Sequence, residues 1–270
     1  LRKVLNFFMG ALLLVGCSSQ NVSPKPEAQA KEEAIPKIII ESVKQETGKV
    51  PDLAEVLKLD HLSLNDQILI ADKGEQQLFY VTKLKNLKRL TIQRVNTKDL
   101  DFIKDLKQLE SLEIAGYSPE QIPDINNLSN LKYLLIEESS LKDLSKLRLL
   151  SSLETVSFRK NLITDISILG SFKKLTFLDL SENPITETSG LTNLPNLERL
   201  SLRNTEIKSL KDLRNSQQLK YLDIRGTELI SIKDIANLKN LQTVLGDKSK
   251  IKDLYLLPKS VEFLEAPKND

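Results

Sequence analysis

The chain is 270 residues long, 40% hydrophobic and 28% charged, enough apolar material for a folded domain and too much for a wholly disordered chain. Aromatic residues make up 5% and Trp is absent, which points away from a core built on large rings and towards stacked aliphatic layers. Lys and Arg number 39 against 37 Asp and Glu; without Arg2 and Lys3, in a segment expected to be removed, the signs balance, so nucleic acid is a poor main partner and only a local basic stripe is left open.

The first element is a basic pair, Arg2 and Lys3, followed by an apolar run from Val4 to Gly16 that ends in Leu14-Val15-Gly16-Cys17. The run is too short for an ordinary spanning helix and has the layout of a signal peptide over residues 1–16. It resembles a bacterial lipoprotein signal, which implies that Cys17 becomes the first mature residue and carries the lipid. The alternative is a cleaved secretory signal with an incidental or buried thiol. Cys17 is the single Cys, so an internal disulfide is excluded and stability has to come from packing. Residues 17–35 are rich in Ser, Pro, Ala, Gln, Glu and Lys and read as a lipid-anchored disordered tether. If flexible, it has a reach of about 20–25 Å.

From Pro36 the pattern turns helical. Pro36 stands at a plausible first helical position, Ile38, Ile39, Ile40 and Val43 form an apolar face, and Gly48 marks the stop. A second short helix is expected at 52–57, where Asp52 and Glu55 have the spacing of a capping box. Both suit an N-terminal cap, since the end of a solenoid otherwise exposes a whole apolar layer. Leu59, Leu62 and Leu64 give the first strand. The stretch from Leu64 to Leu84, with Ile68, Ile70, Leu78, Phe79 and Val81, reads as an irregular first turn, so that cap and irregular repeat occupy 36–83.

Over 84–257 the chain repeats. The second apolar residue of successive L-x-L pairs is Ile92, Ile114, Ile136, Phe158, Leu180, Leu202 and Ile224, each 22 positions after the last, and the next step lands on Gly246. A fixed period in the twenties, with L-x-x-L-x-x-L-x-L in each unit, marks a solenoid whose repeats bury their apolar side only against their neighbours. Val261, Phe263 and Leu264 suggest a shortened closing strand in a C-terminal cap and tail, 258–270. The units resemble the internalin-type bacterial leucine-rich repeat, whose consensus continues N-x-I-x-D-I-x-x-L; Asn161-Leu162-Ile163-Thr164-Asp165-Ile166 matches it. The resemblance covers about 36–265. It implies an α/β repeat solenoid: a leucine-rich-repeat horseshoe with a parallel concave β-sheet, short helical or 3-10 turns on the convex side and an N-terminal helical cap. It also implies a ladder of Asn side chains. The chain departs from that ladder, with Asn161 and Asn183 in place but Val95, Tyr117, Ser139, Thr205, Thr227 and Ser249 at the equivalent positions.

Few residues invite chemistry. Asp99, Asp143, Asp165 and Asp253, with Ser209 and Ser231 at the same phase, suit either a row of turn caps or a metal site, and capping is favoured because Asp and Ser both serve it. His61, the single His, is expected on the open face of the first strand, without a nucleophilic or zinc constellation around it. No catalytic residues, cofactor or metal are expected. The outward positions of the sheet carry the types that dominate binding hot spots: Tyr133, Arg159, Phe177, Arg199, Arg203, Tyr221 and Arg225, with Asp179 and Asp223 expected to hold the arginines. These nine form the candidate partner-binding set; the alternative is a solvated sheet face. The reading is a non-enzymatic, lipid-anchored cell-envelope protein, an adhesin or scaffold, that binds a protein partner through the concave face. Glycan or peptidoglycan binding is the second reading, with membrane contact through the N-terminal lipid. Ser18 after the Cys favours the outer membrane in a diderm host; a monoderm host would place the anchor on the outer leaflet of its cell membrane.

Overall fold

Leu and Ile at alternate positions of a short extended segment send one side of each strand inward, and a 22-residue period lets every strand meet the same strand of the next turn. In the computed structural model the chain divides into Leu1–Ala34 and Ile35–Asp270. The structure describes residues 34–65, 75–94, 100–116 and 122–265. The expected signal segment, Cys17 and the tether up to residue 33 lie outside the described residues, as do Ile68, Ile70, Val95, Asp99 and Tyr117.

The described residues form one parallel sheet in strict chain order. Its strands are β1 (His61–Asn65), β2 (Arg89–Gln93), β3 (Ser111–Ala115), β4 (Tyr133–Glu137), β5 (Thr155–Ser157), β6 (Phe177–Asp179), β7 (Arg199–Ser201), β8 (Tyr221–Asp223), β9 (Thr243–Leu245) and β10 (Glu262–Leu264). Register follows the repeat: Leu64 pairs with Ile92 across the longer first link, and Phe177, Arg199 and Tyr221 lie side by side. Most of the turns hold short 3-10 segments such as Ser167–Ser171, Ser189–Leu191 and Lys211–Leu213.

Between sheet and turns lies a continuous aliphatic core. In the central repeat Phe172, Leu175, Leu178, Leu180, Ile185 and Leu191 are all fully buried. Each such side chain contributes on the order of 1.5–3 kcal/mol of burial free energy. The turns are stitched by backbone bonds from repeat to repeat, with Leu162 N donating to Leu141 O, Glu206 N to Ile185 O and Glu228 N to Ile207 O.

The N-terminal end is closed by helix α1 (Lys37–Thr47), whose Ile38, Ile39 and Val43 pack on the core. Pro36 is its N-cap, one position earlier than expected, and Gly48 ends it at φ 74°, the left-handed conformation that glycine adopts without a Cβ penalty. Ser42 Oγ donates to Ser63 O, satisfying a carbonyl on the outer edge of β1. Helix α2 (Leu53–Val56) carries the full capping box of Asp52 and Glu55. In the long first link, helix α3 (Glu75–Leu78) runs into the 3-10 segment Phe79–Lys83, burying Leu78 and Val81 and leaving Phe79 exposed.

One periodic feature comes from the fold rather than from residue type. Arg94, Gly116, Glu138, Lys160, Glu182, Asn204 and Gly226, again at 22-residue steps, all have φ between 51° and 69°. There the chain leaves the strand, and from Arg94 to Asn204 each N–H donates to a backbone carbonyl of the next repeat, as Lys160 N does to Ser181 O. Left-handed backbone at Arg, Glu and Lys carries a local penalty, which these inter-repeat bonds offset.

Candidate protein-binding face

Alternation predicts an inward Leu or Ile on each side of an outward residue, and the strands obey it. The outward column at the strand starts reads Tyr133, Thr155, Phe177, Arg199, Tyr221, Thr243 in hydrogen-bonded register. Tyr133 is exposed, Phe177 and Tyr221 are half-buried, and Arg199 is exposed. The Arg199 guanidinium lies over the Tyr221 ring, 4.8 Å from its centroid. Stacking of this kind holds an Arg side chain in one orientation while leaving its N–H groups towards solvent. Burial beside the Asp223 carboxylate raises the Tyr221 phenol above its ordinary value.

The next two columns are more covered than alternation predicts. Ser157, Ser181 and Asp223 face the same side yet are 4%, 3% and 4% exposed. Their polar atoms bond one another: Ser157 Oγ donates to Glu137, Ser181 Oγ lies 2.6 Å from Ser201 Oγ, and Asp223 accepts from Arg225 through both its backbone and its guanidinium. The face thus stands on a satisfied polar layer, and among the described residues no buried side-chain polar atom lacks a partner.

Asp223 holds Arg225 as expected, and this hydrogen bonding raises the Arg225 guanidinium further. Asp179 does not hold an arginine. Its Oδ1 accepts from Ser181 N at 2.8 Å and from Ser181 Oγ, because a short Asp side chain reaches the amide two residues on more easily than a neighbouring strand's guanidinium. Arg159 is held instead by Glu182, with Nε and Nη2 donating to Oε1 at 3.1 and 2.9 Å. Glu182 was missed because it sits in the left-handed turn, outside the alternating pattern. Arg203 is exposed, and among the described residues it has no ion-pair partner.

The acidic phase caps turns. Asp143 and Asp165 accept from the N–H of Ser145 and Ser167, which lowers both carboxyls below the ordinary value. Asp253 reaches back a repeat to Ser231 Oγ and Ile232 N. Among the described residues no cluster of His, Cys, Asp and Glu is arranged to hold a metal. His61 sits between Asp60 and Glu46, at 2.7 and 3.0 Å, with both ring nitrogens engaged.

Asn161 spans two repeats, its Oδ1 accepting from Ser139 N and Leu141 N and its Nδ2 donating to Ile136, Phe158 and Arg159 carbonyls. Asn183 repeats much of this. Thr205 and Thr227 make only the local bond to Leu202 O and Ile224 O. A second amide ladder escaped the sequence reading: Asn86, Gln108, Asn130, Asn196 and Asn240 each donate to a carbonyl of the preceding repeat. Its signal was an amide just before the second Leu of the repeat.

The family description Leucine Rich repeats (2 copies) matches residues 151–193 and 173–215. Internalin InlF of Listeria monocytogenes superposes with a TM-score of 0.64 at 19% identity, covering 84% of this chain and 82% of that one. Internalin C2 of the same organism gives 0.65 at 22%, covering 78% and 92%. A Leptospira interrogans LRR protein gives 0.53 at 25%, covering 68% of this chain and 56% of the other. No curated protein sequence matches the chain. The fold is a leucine-rich-repeat solenoid. That fold leaves a broad concave sheet face as its main presented surface, and β4 to β8 are where this chain concentrates its aromatic and Arg side chains.

Proposed function

We propose that this protein is a lipid-anchored bacterial envelope protein that binds a protein partner through the concave face from β4 to β8, without catalysing a reaction. The observation that carries the binding reading is the column Phe177, Arg199, Tyr221, with the guanidinium stacked on the ring and a hydrogen-bonded polar layer beneath. Anchors held before binding lose less side-chain entropy on complex formation. From β4 to β8 the strands span four gaps, about 20 Å, which fits a macromolecular footprint better than an enclosed ligand. Glycan binding is less well supported, because one face of Tyr221 is occupied by Arg199 and is closed to a sugar ring.

Truncating Phe177 and Tyr221 to Ala should leave the circular dichroism spectrum unchanged and weaken capture of envelope partners by about 2 kcal/mol per anchor. Full binding after loss of both rings would remove the concave face from consideration. The lipid anchor rests on the sequence around Cys17, and the localisation follows from it. Intact mass should show a lipid adduct on Cys17 at the mature N-terminus, and Cys17→Ala should abolish both cleavage and adduct; the same unmodified N-terminus in both forms would refute the anchor.

A further inference from the structure

Four arginines project from the concave side of β5 to β8 and the turns that follow them, and their neighbours divide them into two kinds. Arg159 and Arg225 are neutralised within the protein, by Glu182 and Asp223. Arg199 and Arg203 have no carboxylate within ion-pair distance among the described residues, although both are exposed. Of the acids on the flanking strands, Asp223 is neutralised by Arg225, and Asp179 keeps its charge but makes no ion pair among the described residues, its Oδ1 accepting from Ser181. Two cations, one opening β7 and one in the turn that follows it, therefore remain for an external anion.

Their placement is specific. Arg199 opens β7 between Phe177 and Tyr221, in register with both. Arg203 stands four residues further along the chain, in the turn that follows β7 and no more than about 14 Å away. Towards β3 and β4 the face carries carboxylates. Glu113 and Glu137 project from β3 and β4, where Gln93 and Ser157 donate to them without neutralising them. The concave surface is thus polarised along the solenoid, acidic near β3 and β4 and basic at β7. Such a field attracts an acidic segment to one place and repels it from the other.

We infer that the partner of the concave face presents an acidic, extended peptide segment, with one carboxylate on Arg199 between the two rings and a second on Arg203. Resting as it does on the protein-binding reading above, this adds the chemistry of the partner. An extended segment laid along β7 and past its end brings carboxylates of residues four apart to the two arginines, and the apolar side chains next to the first carboxylate meet Phe177 or Tyr221, which flank Arg199. Arg suits the task because its planar fork takes a carboxylate in two parallel hydrogen bonds. The pair of arginines is too sparse to track a phosphate backbone, in keeping with the near balance of charge in the whole chain.

The test is selection of short random peptides on the full chain in detergent, followed by titration of the best binder against variants. The expected binder carries two acidic residues four apart. Its affinity should fall by about tenfold in Arg199→Gln/Arg203→Gln, and equally when its own acids become amides. Raised salt should weaken it, while Lys208→Gln/Lys211→Gln, which removes the same charge from the outer side, should not. A binder lost in Phe177→Ala/Tyr221→Ala but untouched by the Arg substitutions would overturn this inference and leave the concave-face reading standing. Peptides that bind all variants alike, or none selected at all, would overturn both. Hyaluronate binding through the two arginines more tightly than any selected peptide would overturn it in favour of an acidic glycan.

Discussion

Asn161 and Thr205 occupy the same position of two repeats, and comparing them separates what the ladder contributes from what a hydroxyl can replace. Asn161 is buried and serves two N–H groups and three carbonyls. Thr205 serves one carbonyl of its own repeat. Leaving a buried donor or acceptor without a partner costs about 1–3 kcal/mol, whereas losing an ordinary bond costs about 1. Asn161→Ala should therefore destabilise the protein by about 3 kcal/mol or more in urea unfolding, and Thr205→Ala by about 1 kcal/mol. Equal shifts in the midpoint would mean that the ladder is decorative. The same reasoning bears on Asp179, which the alternation pattern makes an expendable outward residue. Because it bonds Ser181 twice and lies half-buried, its truncation carries a cost that sequence alone does not show.

At the scale of the element, spacing within a turn decides what the chain tolerates. Gly190 lies in the 3-10 segment Ser189–Leu191, and a Cβ there would fall 1.9 Å from Ile166 O and 2.5 Å from its carbon, both backbone atoms of the preceding repeat. Gly170, one repeat back, would meet nothing closer than Gly190 O at 3.4 Å. Gly190→Ala must push two turns apart and should cost about 2–3 kcal/mol, while Gly170→Ala should be within about 1 kcal/mol of neutral. Differential scanning calorimetry on the pair checks this, and a Gly190→Ala protein with the parental melting temperature would contradict the geometry. Elements were the most legible scale in the sequence, because burying a Leu or Ile at 0–1% exposure requires the period that displays it: Leu90, Ile92, Leu178 and Leu180 face inward as spacing demands. What stayed hidden does not depend on apolar spacing. Left-handed turns at Arg94, Lys160 and Glu182 are imposed by bonds to the next repeat on residues with no preference for them. The amides of Asn86, Asn130 and Asn240 look in sequence like an ordinary solvated surface, and Glu182 becomes a partner of Arg159 only once the turn has folded.

Over the whole molecule, stability is close to a sum of repeats and the interfaces between them, and its two ends are unequal. The N-terminal layer is covered by α1, with Ile38, Ile39 and Val43 on the core and Ser42 on the edge of β1. At the other end the 3-10 segment Leu254–Leu256 buries none of its residues, Tyr255 is 82% exposed, and β10 pairs on one side only among the described residues. A lesion should therefore matter according to its distance from the ends. Leu178 is fully buried with repeats on both sides, so Leu178→Asp places an unpaired charge where no local rearrangement can bring in water, and should cost several kcal/mol and unfold the array as a unit. Leu64 is equally buried but lies in the terminal strand, beneath the cap. Leu64→Asp can be relieved by releasing α1 and the first strand, which leaves β4 to β8 stacked on one another. Native-state hydrogen exchange should show this difference. In Leu64→Asp protection should vanish from β1 and persist from β4 to β8, whereas in Leu178→Asp it should fall throughout. In the unmodified protein, protection should decline from β8 towards β10 more steeply than from β4 towards β1, since the covered end frays less. Uniform loss of protection from Leu64→Asp as well would mean that the solenoid folds as one indivisible unit, and that the proposed binding face draws its rigidity from the whole array and not from its own neighbouring repeats.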